Sequence, residues 1–163
     1  MLNVGCGDRL APAPWVNVDC WPGVHPDVVA DITTTWPFPT SSVGRVYMGQ
    51  VLEHLDHPDG VRAAIGEAGR VLYPGGVFCV VTPDFAALDE KRCEGWIREN
   101  LTRGECRWPG DEHRWCPDRH TVAELVREVF PTAHAVHPML LSDGWPPGNR
   151  DTWDCAVVGT ALG

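Results

Sequence analysis

The chain reads as an α/β fold, a layered single domain over residues 1–163 built on a mostly parallel sheet. Its strands are continuous apolar runs rather than alternating ones, which suits strands covered on both faces. Segments with helical spacing lie between several of these runs, the order expected of α/β layers. The first run also opens directly into a Gly-x-Gly turn, Leu2-Asn3-Val4-Gly5-Cys6-Gly7-Asp8. Glycines without Cβ let a buried strand bend sharply there and approach a ligand closely.

In chain order, strands are expected near 2–4, 16–19 (Val16-Asn17-Val18-Asp19), 28–31, 45–48 and 77–82. After the fourth, Pro58 suits a first helical position, and Val61, Ala64, Ile65, Ala68 and Leu72 form one stripe. Pro74-Gly75-Gly76 is expected to stop that helix. A weaker helical pattern spans 85–101, and the polar, aromatic stretch 102–118 has no assignable element. Thr121-x-x-Glu124 reads as a capping box ahead of Val122, Leu125, Val126, Val129 and Phe130, with Pro131 closing the helix. Residues 133–140 and 153–161 read as two final strands.

The bulk composition excludes several classes. Twenty-two acidic residues against 13 basic ones give a net charge of −9, which opposes non-specific binding to phosphate backbones. Apolar runs are far shorter than a membrane span, and no signal peptide precedes Leu2, so a soluble cytoplasmic protein is expected. The seven cysteines include no CxxC pair. Cys6, Cys20, Cys79 and Cys155 lie in or beside expected strands, so a reduced thiol set is expected.

The spacing around the Gly-x-Gly turn narrows the ligand. The dinucleotide fingerprint wants a third glycine and an acid about 20 residues on. Leu10 stands at the glycine position, and Asp19 follows Gly7 by only 12 residues, which disfavours a hydride-transfer cofactor.

Four blocks, LNVGCGD at 2–8, VNVD at 16–19, WPFPTSSVGRVYMGQVLEHL at 36–55 and RVLYPGGVFCVVTPDF at 70–85, resemble the class I S-adenosylmethionine-dependent methyltransferases. The closest resemblance is to the small Methyltransferase-11-like group, with a looser match at 112–126. It implies a Rossmann-like three-layer sandwich with a seven-stranded sheet whose last strand, assigned to 153–161, is antiparallel. It implies S-adenosylmethionine as cofactor. Gly5 and Gly7 would flank its methionine part, the backbone at Gly5 and near Gln50 would face the amino group, and Asp19 would hold the ribose hydroxyls. Asp31 and Ile32 would face the adenine. Asn3, Cys6, Cys20 and Val51 complete the implied cofactor contacts, and Gln50 and His54 would lie near the sulfonium and the acceptor entrance.

The chain departs from the family pattern in three places. Asn3 stands where an acid is common, the 11 residues between Gly7 and Asp19 are too few for a full helix, and no helix precedes the first strand. The pocket is therefore expected to be thinly covered, and a homodimer is the partner arrangement that would cover it.

Methyl transfer needs a general base only for a weakly acidic acceptor. His54, His113 and Asp84 are the candidates, with His120 beside them. Asp84 in Pro83-Asp84-Phe85 also reads as a helix cap, and His113 as a surface residue. Cys93, Cys106, His113, Cys116 and His120 form a set without a CxxC knuckle, and no metal is expected. Trp108, Trp115 and Trp145 could wall an acceptor pocket. The reading is a methyltransferase for a small-molecule or glycan-type acceptor at oxygen or nitrogen. Its rivals are a DNA or other nucleic-acid methyltransferase, which lacks its expected Pro-Pro-Tyr or Pro-Cys motif here, and a non-catalytic cofactor-binding scaffold.

Overall fold

The computed structural model describes residues 1–85, 95, 110–138, 141, 144–146 and 154–162. Its strands are β1 (Leu2–Val4), β2 (Val16–Asp19), β3 (Val28–Val29), β4 (Val43–Gly49), β5 (Leu72–Pro83), β6 (His134–Val136) and β7 (Asp154–Thr160). The described helices are α1 (Asp59–Val71) and α2 (Arg119–Arg127). The sheet runs β3-β2-β1-β4-β5-β7-β6. Strands β1 to β5 pair in parallel, and β7 is antiparallel to both β5 and β6. This is the seven-stranded mixed sheet with an antiparallel last strand that the motif blocks imply.

Alternation along the central strands sorts the side chains into two cores. Val46, Met48, Phe78 and Val80 face the α1 stripe, Val61, Ala64, Ile65 and Ala68, and the α2 residues Val122, Leu125 and Val126. Tyr47, Cys79, Val81 and Ala156 face the other way, where Ala11, Trp15 and Leu141 cover them. Among the described residues, both helices therefore pack on one face, and loop residues cover the other. Trp115 packs against the first core and Trp145 against the second, so these two indoles do not line one wall. Trp108 and the expected helix at 85–101, apart from its first residue and Gly95, lie outside the described residues.

Several local expectations need correction. The helix α1 starts at Asp59, with Pro58 as the flanking residue. Pro74-Gly75-Gly76 lies within β5, whose pairing with β4 jumps from Val43–Leu72 to Arg45–Val77. The α1 chain passes directly into the strand at Leu72, and Gly75 and Gly76 bond across to Ala161, so the glycines form a bulge rather than a stop. Helix α2 begins two residues before Thr121, because Asp118 is the cap: its carboxylate accepts from the His120 and Thr121 amides.

The missing helix after β1 has a structural replacement. Asn17, buried on β2, accepts from the Ala11 amide at 2.8 Å and donates to the Ala11 carbonyl at 3.0 Å. Asn3 on β1 donates to Asn17 Oδ1 at 2.9 Å and to the Arg9 carbonyl at 3.1 Å. Asp27 Oδ2 in turn accepts from both the Asn17 amide and its side chain. This polar network satisfies the buried amides and pins residues 9–11 over the sheet, where Ala11 and Trp15 then bury.

Candidate functional site

The register of the parallel strands assembles the site. Val4 pairs with Val18 on one side and Met48 on the other, so the turns leaving the carboxyl ends of β1, β2 and β4 lie side by side. This is where α/β sheets hold ligands.

Gly5 (φ +66°) and Gly7 (φ +50°) both occupy the left-handed region that favours glycine. A Cβ at Gly5 would stand 2.4 Å from Val51 Cγ2, so the turn after β4 presses directly on the turn after β1. Gly5→Ala is expected to cost about 1–3 kcal/mol through backbone strain alone, measured as a fall in the urea midpoint, with the Val51 overlap adding to it.

Asp19 is buried and held by two backbone amides: Gly7 N donates to Oδ2 at 2.8 Å and Trp21 N to Oδ1 at 2.9 Å. Each oxygen keeps a second lone pair for a ligand hydroxyl. Gln50, one residue past β4, has φ +59°, a strained conformation for a side-chain-bearing residue. Its buried Nε2 has no hydrogen-bond partner. A strained backbone and an unsatisfied amide donor beside the glycine turn are what a polar ligand group would relieve.

The carboxylates also set the thiols. Burial, with Asp19 next and Asp27 last, pushes Cys6 up to about 12, so it stays a protonated thiol. Exposed Cys20 is also raised, chiefly by burial of its thiol and then by Asp19. Neither is a competing nucleophile at neutral pH. Asp31 is exposed and accepts from the Thr33 amide at 2.9 Å and its hydroxyl at 2.7 Å. The Ile32 side chain packs in the main core and its carbonyl takes the Trp36 indole N–H at 2.9 Å. Asn3 serves the loop network described above.

Beyond Gln50, the 3-10 turn Leu52–His54 carries two more ionisable groups. Glu53 is fully buried; its Oε2 accepts from Thr82 Oγ1 at 3.1 Å, and its Oε1 accepts no hydrogen bond. Burial pushes its carboxyl up to about 8 against the lowering effect of its hydrogen bonds, with smaller contributions from Asp154 and Asp111.

The unassigned loop ahead of α2 is fastened onto this turn. Arg114 N donates to the Glu53 carbonyl at 2.7 Å, and Trp115 Nε1 to the Leu52 carbonyl at 2.7 Å. Arg114 also pairs with Asp56. These bonds set His113 against His54, with ring centroids 4.5 Å apart in an edge-on arrangement. A ligand atom from each of Glu53, His54 and His113 lies within 4.8 Å of the others.

The three base candidates therefore separate. His54 and His113 come together at the end of β4. Asp84 is engaged by Arg119, whose amide and Nε lie 3.1 and 2.5 Å from its two oxygens, at a polar cleft with His137, Asp154 and Cys155. His120 lies at the exposed start of α2. Cys93 and Cys106 lie outside the described residues. Cys116 is disulfide-bonded, which corrects the expectation of a wholly reduced thiol set; Cys6, Cys20, Cys79 and Cys155 are free. The four free thiols sit on or beside the sheet, whereas Cys116 lies in the loop. Glu53 was not among the expected site residues, although its position inside the VLEHL block was the available signal.

Comparison with known proteins agrees with this fold. Residues 2–80, just under half the chain, match the family model described as a methyltransferase domain. No curated protein matches the chain in sequence. A Thermotoga maritima S-adenosylmethionine-dependent methyltransferase, described as a possible histamine N-methyltransferase, has a similar fold. Its TM-score is 0.64 at 16% identity, over 98% of this chain and 80% of that one. A structure of the complex between the Haloferax volcanii Trm112 methyltransferase activator and a methyltransferase is similar at TM-score 0.60 and 16% identity, over 99% of this chain and 82% of the other. A Haemonchus contortus phosphoethanolamine N-methyltransferase, bound to S-adenosylhomocysteine, gives 0.66 at 12% identity; the chain is covered completely and spans 48% of that protein.

Proposed function

We propose, from the match of residues 2–80 to the methyltransferase-domain family model, that the protein moves a methyl group from S-adenosylmethionine to a small-molecule or glycan-type acceptor at oxygen or nitrogen. The carrying observation is Asp19, a buried carboxylate fixed by the Gly7 and Trp21 amides beside a left-handed glycine turn. The residues present fit the cofactor: Asp19 would accept from the ribose hydroxyls, and the orphaned Gln50 amide would donate to the polar methionine end. Gly5, having no Cβ, lets Val51 pack directly against the glycine turn and holds the turns after β1 and β4 together.

S-adenosylmethionine, when bound, supplies a methyl group already activated on a sulfonium. The protein then has mainly to align the acceptor and exclude water, and alignment can contribute about 7–11 kcal/mol in favourable cases. His54 and His113, whose rings meet beyond the end of β4, would be the groups that take a proton from an acceptor hydroxyl or amine. Among the described residues no helix is long and apolar enough to cross a membrane, and we read the compartment as cytoplasmic.

Calorimetric titration with S-adenosylmethionine and with S-adenosylhomocysteine tests the reading. One-to-one binding of both is expected, and an absence of heat for both ligands would overturn it. The net charge of −9 favours a small acceptor over nucleic acid. DNA binding with a steep salt dependence would reverse that preference.

A further inference from the structure

We infer that Glu53, His54 and His113 form a binding site for a divalent transition-metal cation beside the proposed acceptor entrance, where a bound ion would take the two imidazoles as ligands in place of the proton transfer proposed above. Two histidines and one carboxylate are a donor set that holds zinc, iron or cobalt and leaves further positions open. Their ligand atoms already lie within 4.8 Å of one another. Donors about 2.0–2.2 Å from one ion stand about 3.4 Å apart in a tetrahedron, so small side-chain rotations close the site.

Glu53 makes the case for an ion rather than a chance cluster. A carboxylate with no exposed surface is costly unless its oxygens are paired. Thr82 serves Oε2, and Oε1 accepts nothing. A cation at Oε1 would satisfy that atom and hold the buried group as a carboxylate.

The surroundings are built as metal sites usually are. His54 Nδ1 lies 3.3 Å from the Glu112 carbonyl, which can only accept. A proton on Nδ1 completes that bond, the usual outer support of a ligating histidine. His113 is delivered by a loop tied to the Leu52 and Glu53 carbonyls through Trp115 and Arg114. The order of residues thus gives two adjacent ligands on one rigid turn and a third from a clamped loop.

Cobalt(II) chloride, titrated into the metal-free protein with no methyl donor present, tests the site. Wild type should bind one equivalent and develop visible d–d absorption without thiolate charge-transfer bands. Glu53→Gln keeps the size of the side chain, and His113→Ala changes a loop residue, so each separates ligand loss from core disruption; circular dichroism checks the folding of both. Each variant should bind at least about tenfold more weakly. Absence of stoichiometric binding, thiolate bands, or affinity undiminished in both folded variants would overturn the assignment. Because methyl-donor binding is not read in this titration, its failure leaves the proposed function standing, and the converse also holds.

Discussion

Asp19→Ala should weaken S-adenosylmethionine binding by about 100-fold or more. Hydrogen bonds to a charged group contribute about 1.5–3 kcal/mol each, and about 1.4 kcal/mol is a factor of ten in affinity. The two ribose hydroxyls proposed to face Asp19 therefore account for at least two decades. The substitution also removes the acceptor for the Gly7 and Trp21 amides, now 2.8 and 2.9 Å away, so the glycine turn itself loosens. Asp19→Asn should fail to rescue binding. Its amide nitrogen must face one of those two N–H groups, donor against donor, whichever way the side chain is flipped. Calorimetry on the two variants, with thermal melting of the ligand-free proteins as the folding control, checks both expectations. Wild-type affinity in Asp19→Ala would remove Asp19 from the cofactor site.

The parts of this site that were readable from sequence are local. A glycine pair after an apolar run and an acid after the next run need only the parallel register of β1 and β2 to meet, and Val4 pairing with Val18 supplies it. Gln50, which only the family resemblance pointed to, lies one residue beyond β4. What the sequence hid depends on polar contacts across distant segments. Asn3, read among the cofactor contacts, bonds Asn17 and Arg9, because the short segment after Gly7 needs anchoring where a helix would anchor itself. The approach of His113 to His54 arises from backbone carbonyls at Leu52 and Glu53, which carry no side-chain signature. The α2 start was misplaced for a related reason: Thr121 fits a capping box, but Asp118 offers a charged acceptor to the same amides and takes the role. Helical stripes were legible because periodicity survives any loop, and Val61, Ala64, Ile65 and Ala68 are all fully buried.

Phe130→Ala should destabilise the fold by about 3–5 kcal/mol, a large part of the roughly 5–15 kcal/mol that holds a domain of this size. Phe130 has no exposed surface and stacks on Phe78 of β5, with centroids 5.1 Å apart and planes 14° from parallel. The cost lies at the high end of such substitutions because the cavity has little means to collapse. One wall is the β5–β7 antiparallel ladder, and Gly159 of β7 already lies against the ring. A Cβ on Gly159 would sit 2.6 Å from Phe130 Cβ, an atom that alanine retains. Gly159→Ala therefore cannot refill the hole, and the double variant should be less stable than Phe130→Ala alone, where a cavity-filling pair would recover stability. Urea unfolding of wild type, both single variants and the double variant reads the four free energies of this cycle. Recovery in the double variant would show that β7 can move away from residue 130, and with it that the β5–β7 pairing at Thr82, the residue bonded to Glu53, is less rigid than the packing indicates.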